Sequence, residues 1–186
     1  MNARRELTLA ALLCGAGAAL TAGAGGRSWA TVHAPDTIVA VSKSLTGTEL
    51  TGAATALGWA GLAGLAALFA VRGVLRAGLG VLLAVFGAGI VYATTTAISR
   101  SHVLSVAAGK SQALGLSTHA TISTSAWWAV SLVGGVLLVA GGLLTAVRGA
   151  RWAGMSAKYE RGSGPAAPKD AVGMWKALDR GEDPTR

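Results

Sequence analysis

Four apolar blocks alternate with polar stretches along the chain, and this pattern predicts the architecture. The blocks cover residues 7–24, 51–71, 77–97 and 126–147, and none of them contains Asp, Glu, Lys, Arg, His or Pro. Each block is about as long as a helix that crosses a hydrocarbon layer roughly 30 Å thick. Unbroken helices satisfy every backbone polar group in lipid. We therefore predict an all-α integral membrane protein, with a four-helix transmembrane bundle in residues 1–150.

Composition and charge support a membrane protein and add an orientation. Of the 186 residues, 52% are hydrophobic and 13% are charged, whereas about 25% are charged in soluble domains. Twelve of the sixteen basic residues lie on the side of the two termini, and the other side has Arg27, Lys43, Arg100 and Lys110. The positive-inside rule then predicts a multi-pass protein of the cell membrane with both termini in the cytoplasm. This asymmetry explains the net charge of +8 without a nucleic-acid partner.

Two outer loops join the predicted spans, and each has some predicted structure. In the first loop, the β-branched runs "WATV" and "TIVAV" flank the turn-like "HAPD", which predicts a small β-hairpin. Thr48 is the predicted N-cap of the second span, with Glu49 near the positive end of that helix. In the second loop, "HVLSVAAGKSQALGL" is typical of a short amphipathic helix.

Small residues recur within the spans and predict how the helices pack. Because lipid gives helices no hydrophobic reason to associate, close backbone contact between small residues has to supply the attraction. We expect a tight bundle and a homo-oligomer as a candidate assembly. The predicted ridges are Gly15/Ala19/Gly23, Ala56/Ala60/Gly64, Gly80/Ala84/Ala88, and the pairs Gly134–Gly135 and Gly141–Gly142.

Residues able to perform catalysis or hold a metal are sparse and widely spaced. The three histidines, at positions 33, 102 and 119, match no metal-ligand spacing, and no carboxylate pair accompanies them. Cys14 is the single cysteine, so an internal disulfide cannot form. The sequence therefore predicts a protein that is not an enzyme and that has no cofactor and no metal.

Hydroxyl and aromatic residues near the outer ends of the spans have two interpretations. The first is an outward-facing pocket for a small aromatic or amphipathic molecule. The second is that the tryptophans anchor the helices at the headgroups while the hydroxyls bond to helix backbones. The candidate pocket residues are Trp29, Tyr92, Thr95, Trp127 and Trp128.

The segment 151–186 is predicted to be a cytoplasmic tail. After the linker "GSGPAAPK", Asp170 can cap a helix over residues 171–180, which Gly181 and Pro184 would end. A helix this short is marginal alone in water, so its apolar face needs a surface to pack on. Membrane, the protein's own bundle and a soluble partner are all allowed. The candidate partner-binding residues are Met174, Trp175, Leu178, Asp179 and Arg180.

Several stretches resemble one known family. "MWKALDRGEDPTR", "RWAGMSAKYER", "RRELTLAALLCGAGAALTAGAGGRSWATV" and "TGTELTGAATALGWAGLAGLAAL" are together similar to the tryptophan-biosynthesis-associated membrane proteins of actinobacteria. The resemblance implies a small four-span protein encoded among tryptophan biosynthesis genes, and it assigns no catalytic residue.

Two hypotheses of function follow from the residues and this resemblance. In the first, a non-enzymatic membrane protein tethers a cytoplasmic partner, such as an enzyme of the tryptophan pathway, through its C-terminal helix. In the second, the protein is an accessory or subunit for membrane transport of tryptophan, indole or a related aromatic compound.

Overall fold

The computed structural model describes residues 3–34, 41–71, 73–110 and 121–151. Four long apolar helices in these residues confirm the predicted membrane spans. The fourth span is followed by a 3₁₀ turn, Gly149–Arg151. The helices are α1 (Ala3–Gly25), α2 (Gly47–Leu50), α3 (Gly52–Ala70), α4 (Val74–Ala97), α5 (Arg100–Lys110) and α6 (Trp127–Arg148), and the strands are β1 (Ser28–Ala34), β2 (Val41–Thr46) and β3 (Thr121–Thr124).

The four spanning helices form a closed bundle in which α6 is the most enclosed. Helix α6 packs on both α1 and α4, and α3 completes the bundle by packing on α1 and α4 as well. The starts of α1 and α4 and the ends of α3 and α6 meet at one end of the bundle, joined by contacts such as Glu6 with Arg148 and Arg76 with Val71. We call this end the terminal end.

Paired glycines explain why α6 approaches two neighbours so closely. A Cβ atom built on Gly134 would lie 2.6 Å from the backbone oxygen of Gly17 in α1, and one on Gly142 would lie 2.5 Å from the backbone nitrogen of Ala84 in α4. The other member of each pair contacts the other helix, since Gly135 contacts α4 and Gly141 contacts α1. The two glycine pairs of α6 are therefore interface residues, and the first glycine of each pair faces α1.

The ridges predicted for α1, α3 and α4 were partly wrong, although Gly15, Gly64, Gly80 and Ala84 do lie against neighbouring helices. Ala19, Gly23 and Ala56 are exposed, and so is Ala88 of α4. The buried small residues lie elsewhere, at Gly17 and Ala18 in α1 and at Ala54, Gly58 and Gly61 in α3. Residues four apart drift about 40° around a helix with 3.6 residues per turn. A straight run of such positions therefore leaves the interface, and burial follows mixed spacings of three and four.

A small three-stranded antiparallel sheet lies at the other end of the bundle, with strand order β2-β1-β3. Its apolar face packs Ala30, Val32 and Leu45 into a cluster with Val103 and Ala107 of α5. We call the sheet, α2 and α5 together the cap. The cap continues into the bundle, since the end of α4 and the start of α6 contribute to the same cluster.

The cap confirms the predicted hairpin and corrects its details. Strand β2 occupies Val41–Thr46, so the predicted strand 37–41 overlaps it at Val41 alone, and residues 37–40 lie outside the described residues. Strand β3 was not predicted. "VSKSLT" and "TIST" are polar because the outer face of the sheet is exposed, and Leu45 is the buried anchor of β2. The predicted amphipathic helix of the second loop appears as α5, and residues 111–116 of that prediction lie outside the described residues.

The N-cap prediction was also wrong. Thr48 lies inside the short helix α2, whose N-cap is Thr46, and the N-cap position of the spanning helix α3 is Thr51, which makes no side-chain cap bond. The Thr46 hydroxyl accepts from the Glu49 backbone N–H, and the Glu49 carboxylate accepts from the Thr46 backbone N–H at 2.8 Å. This reciprocal capping box satisfies two backbone donors. The backbone is extended at Thr51 and the spanning helix α3 starts afterwards, so α2 and α3 are separate elements.

Candidate functional site

Trp29, one of the predicted pocket residues, fastens the cap to the bundle. Its side chain is 1% exposed, and its indole N–H donates to the backbone oxygen of Ala24 at 2.9 Å. That carbonyl lies in the last turn of α1, where helix carbonyls lack intrahelical partners. The ring also lies against Gly47, where an added Cβ would approach the ring to 2.5 Å. Both the faces and the polar atom of this indole are thus already used within the protein.

Tyr92 and Thr95 lie on the outside of α4 near the cap. Tyr92 is 72% exposed. The Thr95 hydroxyl donates to backbone oxygens of its own helix, at 3.0 Å from Val91 and 2.9 Å from Tyr92. Thr96 makes the same kind of bond to Tyr92 and Ala93. These hydroxyls satisfy themselves on the helix backbone, and the tyrosine ring has the position of an aromatic residue at a membrane interface.

The two tryptophans at the start of α6 have different surroundings. Trp127 is 39% exposed, and the guanidinium carbon of Arg27 lies 5.0 Å from its ring centroid. This distance is within the range of a cation–π contact. Trp128 is partly buried against the cap cluster that contains Trp29. The five predicted pocket residues therefore have three different surroundings. Trp29 and Trp128 pack in the cluster between the cap and the bundle. Tyr92 and Thr95 lie on an exposed face of α4, and Trp127 pairs with Arg27.

Three fully buried hydroxyl residues form a polar layer between three spans. The Thr21 hydroxyl bonds to the Gly17 oxygen at 3.0 Å and the Ser131 oxygen at 3.4 Å, and the hydroxyls of Thr94 and Ser131 are 3.3 Å apart. All three side chains are 0% exposed. Hydrogen bonds between hydroxyls and neighbouring helices stabilise membrane bundles. The sequence pattern does not indicate which of the many Thr and Ser residues near the span ends form this layer.

Within the cap, polar contacts hold helix α5 against α2. The Lys110 ammonium lies 2.5 Å from a Glu49 carboxylate oxygen, and the ring Nε2 of His102 donates to the Leu50 backbone oxygen at 2.8 Å. The hydrogen bond from Lys110, helped by the Thr46 backbone N–H, lowers the pKa of Glu49 to about 2. Glu49 is thus a carboxylate at every physiological pH.

Charged residues also meet at the terminal end. Arg148 donates from Nη1 to a Glu6 carboxylate oxygen at 2.6 Å, and Glu6 is 9% exposed. Arg76 is 2% exposed, and its Nε donates to the Val71 oxygen at 3.0 Å. Buried charges are costly unless they are paired, so these contacts stabilise the meeting point of all four spans. The predicted third span begins at residue 77, whereas α4 begins at Val74 and includes Arg76 in its first turn.

Neither a metal site nor the predicted tail site can be built from the described residues. Within residues 3–34, 41–71, 73–110 and 121–151, no three His, Cys, Asp or Glu side chains are grouped so that they could hold a metal ion. The tail residues Met174, Trp175, Leu178, Asp179 and Arg180 lie outside these ranges. Their role in partner binding stays a prediction.

The fold and these contacts define a four-span integral membrane protein with a small cap at one end. The chain belongs to the family of tryptophan-associated transmembrane proteins, which matches residues 11–185. This confirms the family to which the sequence showed a resemblance. No curated protein and no solved structure matches the chain.

Proposed function

We propose that the protein is a non-enzymatic membrane anchor of tryptophan metabolism that tethers a cytoplasmic enzyme of the tryptophan pathway through residues 171–180. The observation that supports an anchor is the packing of α6. Its glycines bring its backbone against α1 on one side and α4 on the other, and a side chain added at Gly134 or Gly142 would meet backbone atoms at 2.5–2.6 Å. Helices in such contact move as one body, which suits an anchor better than a carrier.

The placement of basic residues supports a cytoplasmic position for the tail. Residues 4, 5, 76, 148 and 151 are arginines, and α1, α4, α6 and the 3₁₀ turn carry them at the terminal end. Arginine near span ends favours the cytoplasmic side. A tail that follows residue 151 would then start in the compartment where soluble biosynthetic enzymes work.

The test is crosslinked affinity capture from native membranes. The full chain is compared with a chain that ends at Arg161 and with the double variant Trp175→Ala/Leu178→Ala. Val172→Ala is the matched control, because it also truncates an apolar residue but lies about 110° around the predicted helix from the centre of the face that carries Trp175 and Leu178. We expect tryptophan-pathway enzymes to be captured with the full chain and with Val172→Ala. We expect them to be lost with the chain that ends at Arg161 and with the double variant.

The transport hypothesis predicts a different result. It needs an accessible aromatic pocket, and the burial of Trp29 together with the outward position of Tyr92 favours the anchor over that pocket. Uptake and efflux of labelled tryptophan and indole are compared in cells with and without the protein. A change in flux together with tail-independent capture would refute the tether and support transport.

A further inference from the structure

The terminal end has a basic surface organised by a buried acid. Glu6, in the first turns of α1, is 9% exposed and accepts from Arg148 Nη1 at 2.6 Å. The Arg148 side chain nevertheless stays 48% exposed. An arginine has five N–H donors in a rigid planar fork. Glu6 therefore orients the Arg148 guanidinium through its Nη1 atom, while much of the side chain remains accessible.

A second arginine, Arg76, packs beside the residue that follows Arg148. Arg76 is 2% exposed, and its Nε donates to the backbone oxygen of Val71, the C-cap residue of α3. Its stem lies beside Gly149, where an added Cβ would be 3.3 Å from the Arg76 Cγ. The segment that directly follows Arg148 is thus packed against α4, and the position of Arg148 is set from both sides.

The surroundings of this cluster combine positive charge with exposed apolar surface. Arg5 is exposed next to Glu6. Val147, adjacent to Arg148, is 73% exposed, and Leu9, one turn along α1 from Glu6, is 43% exposed. The apolar windows of α1 and α6 end here. In a bilayer, this would put the arginines at the depth of lipid headgroups and the apolar side chains at the depth of acyl chains.

We propose that the terminal end binds an anionic phospholipid, with its phosphate on the guanidinium groups of Arg148 and Arg5. Guanidinium groups pair well with phosphate oxygens through parallel hydrogen bonds. Free phosphate has the same chemistry, but Val147 and Leu9 favour a lipid because they offer its chains a surface. Glu6 and Arg76 are positioning residues that hold Arg148 in place.

The experiment counts bound lipid on the purified full chain by native mass spectrometry. The protein in detergent is titrated with dioleoyl phosphatidylglycerol or with dioleoyl phosphatidylcholine, and parallel titrations contain inorganic phosphate. We expect preferential retention of phosphatidylglycerol that phosphate does not abolish. A basic residue at an anionic membrane surface contributes about a fivefold change in affinity, so Arg148→Gln and Arg5→Gln should each weaken binding by about fivefold.

A control variant and the independent Arg5→Gln variant keep the test decisive. Lys43→Gln removes one positive charge from the exposed face of the cap and should leave lipid binding unchanged. Arg5 is exposed, so Arg5→Gln tests the proposal even if Arg148→Gln fails to fold. Equal binding of both lipids, equal loss in Lys43→Gln and Arg5→Gln, or full competition by phosphate would each overturn the proposal.

Discussion

Gly142→Ala tests whether glycine packing around α6 holds the bundle together. The added Cβ would lie 2.5 Å from the Ala84 nitrogen and 2.8 Å from the Gly80 oxygen. Both are backbone atoms of α4, so no side chain can turn away. Ordinary contact begins at 3.4 Å, and the two helices must therefore separate locally by about 0.9 Å.

A separation of this size has a predictable cost. A gap of 0.5–1 Å removes about a quarter to a half of the dispersion energy of the atoms concerned. Overpacked sites in protein interiors lose about 1–3 kcal/mol. Alanine has a better helix propensity than glycine by up to about 1 kcal/mol, which offsets part of the loss. We expect Gly142→Ala to lower the free energy of unfolding by about 1–3 kcal/mol.

The assay uses the single cysteine of the chain as a reporter. Cys14 is fully buried against Gly141, so a maleimide reaches it when α1 and α6 come apart. Labelling is followed while the fraction of sodium dodecyl sulfate in dodecyl maltoside micelles is raised. Gly78→Ala is the control, because nothing lies within 4 Å of a Cβ at this position of α4. Equal unfolding midpoints for Gly142→Ala and Gly78→Ala would refute the reasoning.

Three other substitutions probe the cap and the polar layer. Trp29→Phe removes the buried 2.9 Å bond to Ala24, and the same unfolding assay should show a loss of about 1–2 kcal/mol. Glu49→Gln removes a partly exposed ion pair with Lys110, and the expected loss in thermal stability at pH 7 is about 0.2–1 kcal/mol. Because the folded-state pKa of Glu49 is about 2 and its ordinary value is 4.5, this contribution is complete above pH 4.5 and is lost as the pH falls through 2. Ser131→Ala should cost about 0.6 kcal/mol, up to about 1.7, in the unfolding assay, since hydroxyl bonds between spans contribute that much.

Each of these expectations has a result that contradicts it. Unchanged stability of Trp29→Phe would show that the indole N–H does not fasten the cap. If stability falls equally with pH in the wild type and in Glu49→Gln, the ion pair between Glu49 and Lys110 does not contribute to stability. For the polar layer, strict additivity of Ser131→Ala and Thr94→Val in a double-mutant cycle would show that their hydroxyls do not interact.

The spans could be predicted from the sequence because the membrane itself sets their length and composition. An apolar block of about twenty residues has few other stable structures. The rotation of each helix could not be predicted, since Gly and Ala occur on every side of these helices. Gly17 and Gly23 are equivalent in the sequence, yet Gly17 contacts α6 and Gly23 has nothing within 4 Å of its Cβ position.

The cap depended on pairings between distant segments. Ala30 of β1 pairs with Thr124 of β3, although two spans separate these residues in the sequence. The segment "TIST" alone has no pattern that predicts pairing with β1. Trp29 illustrates the same limit for the candidate site. Its sequence position fitted an interfacial or ligand-stacking residue, whereas the chain reversal after α1 returns it to Ala24 and places Gly47 against its ring.

The enclosed position of α6 restricts where this protein can act on other molecules. Sliding α6 against α1 would bring backbone past backbone at Gly134 and Gly141, and sliding it against α4 would do so at Gly135 and Gly142. The buried bond between Ser131 and Thr94 adds a polar contact on the same helix. Because each of these contacts depends on register, a rearrangement of the spans would break several of them together. Interactions with other molecules are therefore expected at the ends of the bundle, where the cap exposes a polar sheet face and the terminal end exposes arginine.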